Sequence, residues 1–143
     1  MTKILRSCIA LICLFLSTTS SSNEEIQPYL MAFFSGYAYQ FGYGSGTSSN
    51  NPRVELVVHY CSSGYYYSVG QSCRPNMIAK GYQCTNIQDA GQWQVIVENG
   101  KGVMQWISNS TGPGNLPLHI RSDGSVADLR GNPFLRTGLA QCG

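Results

Sequence analysis

Histidine, charge and metal-site spacing are what this 143-residue chain has least of. Histidine occurs only at His59 and His119, and charged residues make up 11% of the sequence. No C-x-x-C pair and no His-x-x-x-His spacing occurs, so no zinc site, and no metal or cofactor of any kind, is expected. A serine nucleophile elbow needs glycine two positions either side of the serine, whereas Ser45 has Tyr43 and Thr47 there. Gly42, Gly44 and Gly46 miss the G-x-G-x-x-G spacing and lead into a loop instead of a helix, which removes a dinucleotide or phosphate cradle. The longest apolar run, residues 8–16, is too short to cross a bilayer, so no membrane span is expected.

What is present at the start has the order of a secretory signal peptide. Lys3 and Arg6 form a basic start, residues 8–16 an apolar centre, and residues 17–22 a tail of small polar side chains. We read residues 1–22 as this leader and residues 23–143 as a single disulfide-stapled domain, placed in a secreted or periplasmic setting. Without Lys3 and Arg6 the nine basic residues become seven, against seven acidic ones, and the net charge is zero. A neutral chain has no long-range field for phosphate, so no nucleic-acid partner is expected, and membrane surfaces rank low as partners.

Four cysteines lie outside the leader: Cys61, Cys73, Cys84 and Cys142. An even count in an oxidising compartment argues two disulfides and leaves no free thiol for catalysis. Three pairings are possible. Locality favours Cys73 with Cys84, leaving Cys61 to tie the C-terminus to a core strand through Cys142.

One helix is predicted, over residues 28–35, with Pro28 in its first turn and Gly36 ending it. The remainder reads as strand and turn. Residues 36–43 alternate, with Tyr37, Tyr39, Phe41 and Tyr43 on one side. Residues 44–52 form a Gly/Ser/Asn loop. Val54, Leu56, Val58 and Tyr60 then alternate with Glu55, Val57 and His59. Further strands are expected at 65–69, 77–82, 93–98, 103–107, 116–120 and 125–129. Asn99-Gly100 marks a tight hairpin, with a bulge expected at Lys101-Gly102, and Asp123-Gly124 marks a second turn. Gly112-Pro113-Gly114 and Gly131-Asn132-Pro133 are read as breaks between strands. The expected fold is mainly β: an antiparallel small barrel or sandwich with one short N-terminal helix and two disulfides.

The order of Gly36-Tyr37, then Cys61-Ser62-Ser63-Gly64-Tyr65, then Gly91-Gln92-Trp93, then Asp123-Gly124 resembles small secreted bacterial β-barrel proteins of lipocalin-like form. The resemblance covers most of residues 30–136 and implies a barrel, but no settled activity. This chain departs from that pattern by adding Cys73, Cys84 and Cys142, and no functional residue is carried over.

No catalytic residue is assigned. His59 and His119 both fall on the polar side of predicted strands, and Glu55 is about 13 Å along the strand from His59, too far for a direct pair. The aromatics are the best lead, because tyrosine combines a flat apolar face with a hydroxyl. In the run Tyr65-Tyr66-Tyr67 successive residues face opposite ways, and Tyr66 is the exposed one if its neighbours are core. Asn109-Ser110-Thr111 is an acceptor sequon on a predicted loop. The reading is a secreted, non-enzymatic binding domain with Tyr43, Tyr66 and the 44–52 loop as its surface. Its partner would be a protein, a glycan or a small apolar ligand, and inhibition of a secreted hydrolase is one such role. The alternatives are a small hydrolase using His59 or His119 with a carboxylate from another strand, and a structural envelope protein.

Overall fold

The computed structural model describes residues 21–143, and side chains from residue 23. The helix α1 (Ser21–Phe34) is followed by β1 (Tyr37–Tyr43), β2 (Arg53–Tyr60), β3 (Tyr65–Asn76), β4 (Gly81–Glu98), β5 (Lys101–Ser108) and β6 (Gly112–Pro117). Then come β7 (His119–Ile120), β8 (Val126–Ala127) and β9 (Leu135–Leu139). One antiparallel sheet holds seven strands in the order β6-β5-β4-β3-β2-β1-β9, while β7 and β8 pair separately. Consecutive hairpins build most of the sheet, and only β9 returns across the chain to flank β1.

Register decides which residues share a face. One row runs Tyr37, Tyr60, Tyr66, Gly91, Ser108 across β1 to β5, and the next runs Tyr39, Val58, Ser68, Asp89 across β1 to β4. These rows face the concave side. The sheet curls tightly enough that a β-carbon at Gly70 would lie 2.1 Å from the Glu55 carbonyl oxygen, and one at Gly91 would lie 1.9 Å from that of Ile107. Only glycine permits strands to approach so closely.

The helix α1 covers one end of the concave face. Leu30 and Phe34 are fully buried there, and the Phe34 ring lies 5.0 Å from Tyr39, 5.3 Å from Tyr60 and 5.3 Å from Phe134. The edge-on contacts with Tyr60 and Phe134 suit the ring quadrupoles. Leu118 and Val126, from beside and within the β7–β8 hairpin, complete the same core. Beyond Tyr65 the strand β4 has lost its β3 neighbour, and the Gln27 side-chain amide donates to the Val95 carbonyl at 2.9 Å.

The C-terminal tail covers part of the opposite, convex face. Ala140 N–H donates to the Gly36 carbonyl, Gln141 N–H to His59 Nδ1, and Cys142 is bonded to Cys61. The second disulfide joins Cys73 and Cys84, directly opposed across the β3–β4 hairpin. Both favoured pairings are therefore present.

Several expectations are corrected. The sheet is open, with β6 and β9 as its edges, so it is not a closed barrel. Pro113 and Pro117 lie on edge strand β6, where a missing N–H blocks further pairing and no interior ladder bond is lost. For the same reason Gly112-Pro113-Gly114 is part of a strand and not a break. The helix begins a full turn or more earlier than predicted, leaving Pro28 in its interior. Burial of Leu30 and Phe34 outweighs the one lost helical hydrogen bond. The 65–69 strand runs on to Asn76, and 77–80 form the turn of a long hairpin instead of a strand. Glu98 pairs with Lys101 across Asn99 (φ 50°) and Gly100 (φ 75°), a regular two-residue loop with no bulge. The 116–120 strand is divided at Leu118, and the 125–129 strand shortens to β8. The expected leader lies outside the described residues except for Ser21 and Ser22, which open α1.

The close approach of β4 and β5 predicts that Gly91→Val lowers stability by about 1–3 kcal/mol through overpacking. The measurement is the urea unfolding midpoint, and an unchanged midpoint would show that Gly91 is not needed for that approach.

Candidate functional site

Among the described residues α1 alone packs on the concave face, and the end it leaves uncovered forms a cavity of about 520 Å³. Its apolar wall comes from Phe41, Leu56, Val58, Ile87, Met104 and Leu116, all residues of inward register. Trp106 forms part of the same wall, and Tyr43, 61% exposed, stands on it where β1 ends. The volume lies inside the range of about 300–1,000 Å³ typical of small-molecule sites.

One side of this cavity is polar. The Asp89 carboxylate accepts hydrogen bonds from the Tyr66 hydroxyl at 2.7 Å, Ser108 Oγ at 2.7 Å and Ser110 Oγ at 2.9 Å. Ser108 Oγ in turn accepts from the N–H groups of Ser110 and Thr111, which fixes the turn between β5 and β6 at the cavity edge. Burial pushes the Asp89 carboxyl upward, but the three hydroxyls and the Ala90 N–H more than offset this, and the net shift is below the ordinary value. Asp89 is thus held ionised. Burial and the neighbouring carboxylate together raise the Tyr66 phenol to about 12, so it stays a hydrogen-bond donor.

Tyr43 and Tyr66 are therefore brought to the same cavity, but the expected exposure of Tyr66 is wrong. Tyr66 is 6% exposed and Tyr65 is 57% exposed. Register is the cause, since Tyr66 sits opposite Tyr60 in the inward row and Tyr65 faces out. The 44–52 loop does not line the cavity; Gly46 packs against Arg53 and Tyr82 instead.

The histidines are apart and differently used. His59 is buried on the convex face, stacked on Tyr67 with ring centroids 4.3 Å apart and planes 4° from parallel. Its Nδ1 accepts the Gln141 N–H at 3.1 Å, and burial lowers its pKa, so it serves as a neutral anchor for the tail. His59 thus lies on the side of β2 that its alternation predicts, stacked on its cross-strand neighbour, and it is buried there because the disulfide-tethered tail covers it. His119 is exposed on β7, in the other sheet. Neither histidine is paired with a carboxylate among the described residues.

Reasoning from sequence missed Asp89, Ser108, Met104 and Leu116 as parts of one site. Asp89 shares the odd-numbered register of Trp93 and Val95, a signal that extending β4 backwards would have revealed. Asn109 of the sequon is exposed beside this cluster, whereas Ser110 is engaged by Asp89. No protein-family model, curated protein or solved structure matches the chain.

Because the folded-state pKa of Asp89 is depressed, its contribution to stability is present above the unfolded carboxylate value near about 4 and is lost as pH falls through the folded value. Asp89→Asn should therefore melt below the wild type at pH 7, with the gap closing as pH drops below about 4. Melting temperatures across pH 3–8 check this, and a gap that does not depend on pH would contradict it.

Proposed function

We propose that this protein is a non-enzymatic binding domain that holds a small, largely apolar ligand in the cavity left open beside α1. One observation carries the reading: a cavity of about 520 Å³ walled by Leu56, Val58, Met104 and Leu116, with a single ordered polar side at Asp89. An apolar wall supplies affinity through water release, and a few fixed polar groups set orientation. The ligand best suited to it has an apolar body and a hydroxyl, amide or other donor that can reach the remaining acceptor capacity of Asp89. Anionic ligands are disfavoured there, because the ionised carboxylate repels a second negative charge.

The two disulfides are compatible with an extracellular or periplasmic location, where a rigid carrier domain benefits from cross-linking. A hydrolase using His59 gains no support from this geometry. That imidazole lies on the opposite face from the cavity and is occupied by the tail.

The test is a titration with the neutral apolar fluorophore N-phenyl-1-naphthylamine. Saturable one-site binding is expected, accompanied by quenching of Trp106, which lines the cavity; buried Trp93 is held by the Cys61 carbonyl. Leu56→Trp, which fills part of the cavity, should weaken binding about tenfold or more, equivalent to about 1.4 kcal/mol. Absence of saturable binding by the wild type would refute the proposal.

A further inference from the structure

The β3–β4 hairpin extends past the rest of the sheet and ends in an exposed apolar tip. Met77 is 91% exposed and Ile78 is 96% exposed, and Tyr82 just behind them is 65% exposed. Single exposed apolar side chains are common, but two adjacent ones at the apex of a projecting turn make a small patch that no element of the described residues covers.

The tip is also built to hold its shape. Asn76 Oδ1 accepts the N–H groups of Ile78 at 3.0 Å and Ala79 at 3.1 Å, and Lys80 closes the turn with φ at 49°. The Cys73–Cys84 disulfide staples the two strands directly behind it. Met77 and Ile78 are thus presented outward, and two turn amides are already satisfied within the turn. Backbone donors satisfied in this way can enter an apolar phase without an unpaired hydrogen-bonding group.

Charge around the tip has one sign. Arg74 and Lys80 are both exposed, and no acidic residue occurs between Glu55 and Asp89 in the sequence. The nearest basic neighbour on β2, Arg53, is paired with Glu55. The chain as a whole is close to neutral, so this local basic collar is set by the fold and is invisible in the total charge.

We propose that the hairpin tip docks the protein on a bilayer that carries anionic headgroups, with Met77 and Ile78 entering the headgroup–acyl boundary. Arg74 and Lys80 then face the lipid phosphates, and Tyr82 lies at interfacial depth, where its apolar ring and polar hydroxyl are both satisfied. Insertion is shallow, confined to one turn. No helix among the described residues is long and apolar enough to cross a membrane. The docking inference goes beyond the cavity reading and does not depend on it.

The experiment is vesicle flotation of the unreduced protein. It compares vesicles of phosphatidylcholine and phosphatidylglycerol in a 7:3 ratio, roughly the anionic content at which a few basic residues add measurable affinity, with vesicles of phosphatidylcholine alone. The wild type is expected to float with the anionic vesicles and less with the neutral ones. Met77→Ser combined with Ile78→Ser should weaken this partitioning about 100-fold, about tenfold for each apolar side chain. Arg74→Gln with Lys80→Gln should erase the preference for anionic vesicles by about tenfold or more. Both double variants should keep the urea unfolding midpoint of the wild type, which separates loss of docking from loss of folding whether or not the cavity binds a ligand. Wild-type protein remaining in the subphase with both vesicles would overturn the proposal and leave a protein pocket as the partner the tip fits. Undiminished flotation of the Met77/Ile78 variant would overturn it equally.

Discussion

The structure depends on a mismatch of area. A seven-stranded sheet spans about 29 Å across its strands, whereas α1, the one helix among the described residues, is about 10 Å in diameter. Packing Phe34 and Leu30 into the rows of Tyr39, Tyr60 and Trp93 satisfies one end of that face. The other end keeps its inward-facing Leu56, Val58, Met104 and Leu116 with no element of the described residues above them. Curling of the sheet, permitted by glycine at the closest strand approaches, narrows the gap into a cavity. The prolines of β6 leave that edge unable to complete a hydrogen-bonded ladder with another strand.

The polar groups follow from the same geometry. Asp89 lies in an inward row because the register of β3 against β4 places it opposite Ser68. A carboxylate in that position needs donors, and Tyr66, Ser108 and Ser110 supply them. The resulting cluster pins the β5–β6 turn and gives the cavity its one polar side. On the convex face the Cys61–Cys142 link holds the tail across His59, which buries a group that β2 alone would have left in water. The two disulfides thus do different work: one fastens the tail to the sheet, and the other stiffens a projecting hairpin.

Much of the fold was legible because strand alternation is a direct physical signal. Tyr39 and Val58 share the buried face that their spacing predicts, and Asn99-Gly100 makes the hairpin its positive φ preference requires. Local chain distance was enough to favour both disulfide pairs. What failed depended on long-range packing. Residues 81–92 do not alternate in hydrophobicity, so the first half of β4 carries no pattern of its own, and only the parity of Trp93 and Val95 points back to Asp89. The orientation of the tyrosine run was misjudged because consecutive tyrosines carry no intrinsic parity; pairing opposite Tyr60 chooses it. Local propensity alone places Pro28 at a helix start, whereas tertiary burial of Leu30 and Phe34 carries the helix through it. Of the residues singled out from sequence, Tyr43 and Tyr66 both line the cavity, and Tyr66 does so as a buried side chain instead of an exposed one. The surrounding wall needed the register of five strands, which no single stretch of sequence reveals.

The most direct measurement of the cavity account is a methyl-resolved NMR titration with the neutral single-chain lipid monolaurin. Shifts centred on the methyls of Leu56, Val58, Met104 and Leu116, with Leu135 and Leu139 on β9 unmoved, are the predicted result. Shifts confined to the exposed strand edges, or no saturable change at all, would contradict a ligand site on the concave face.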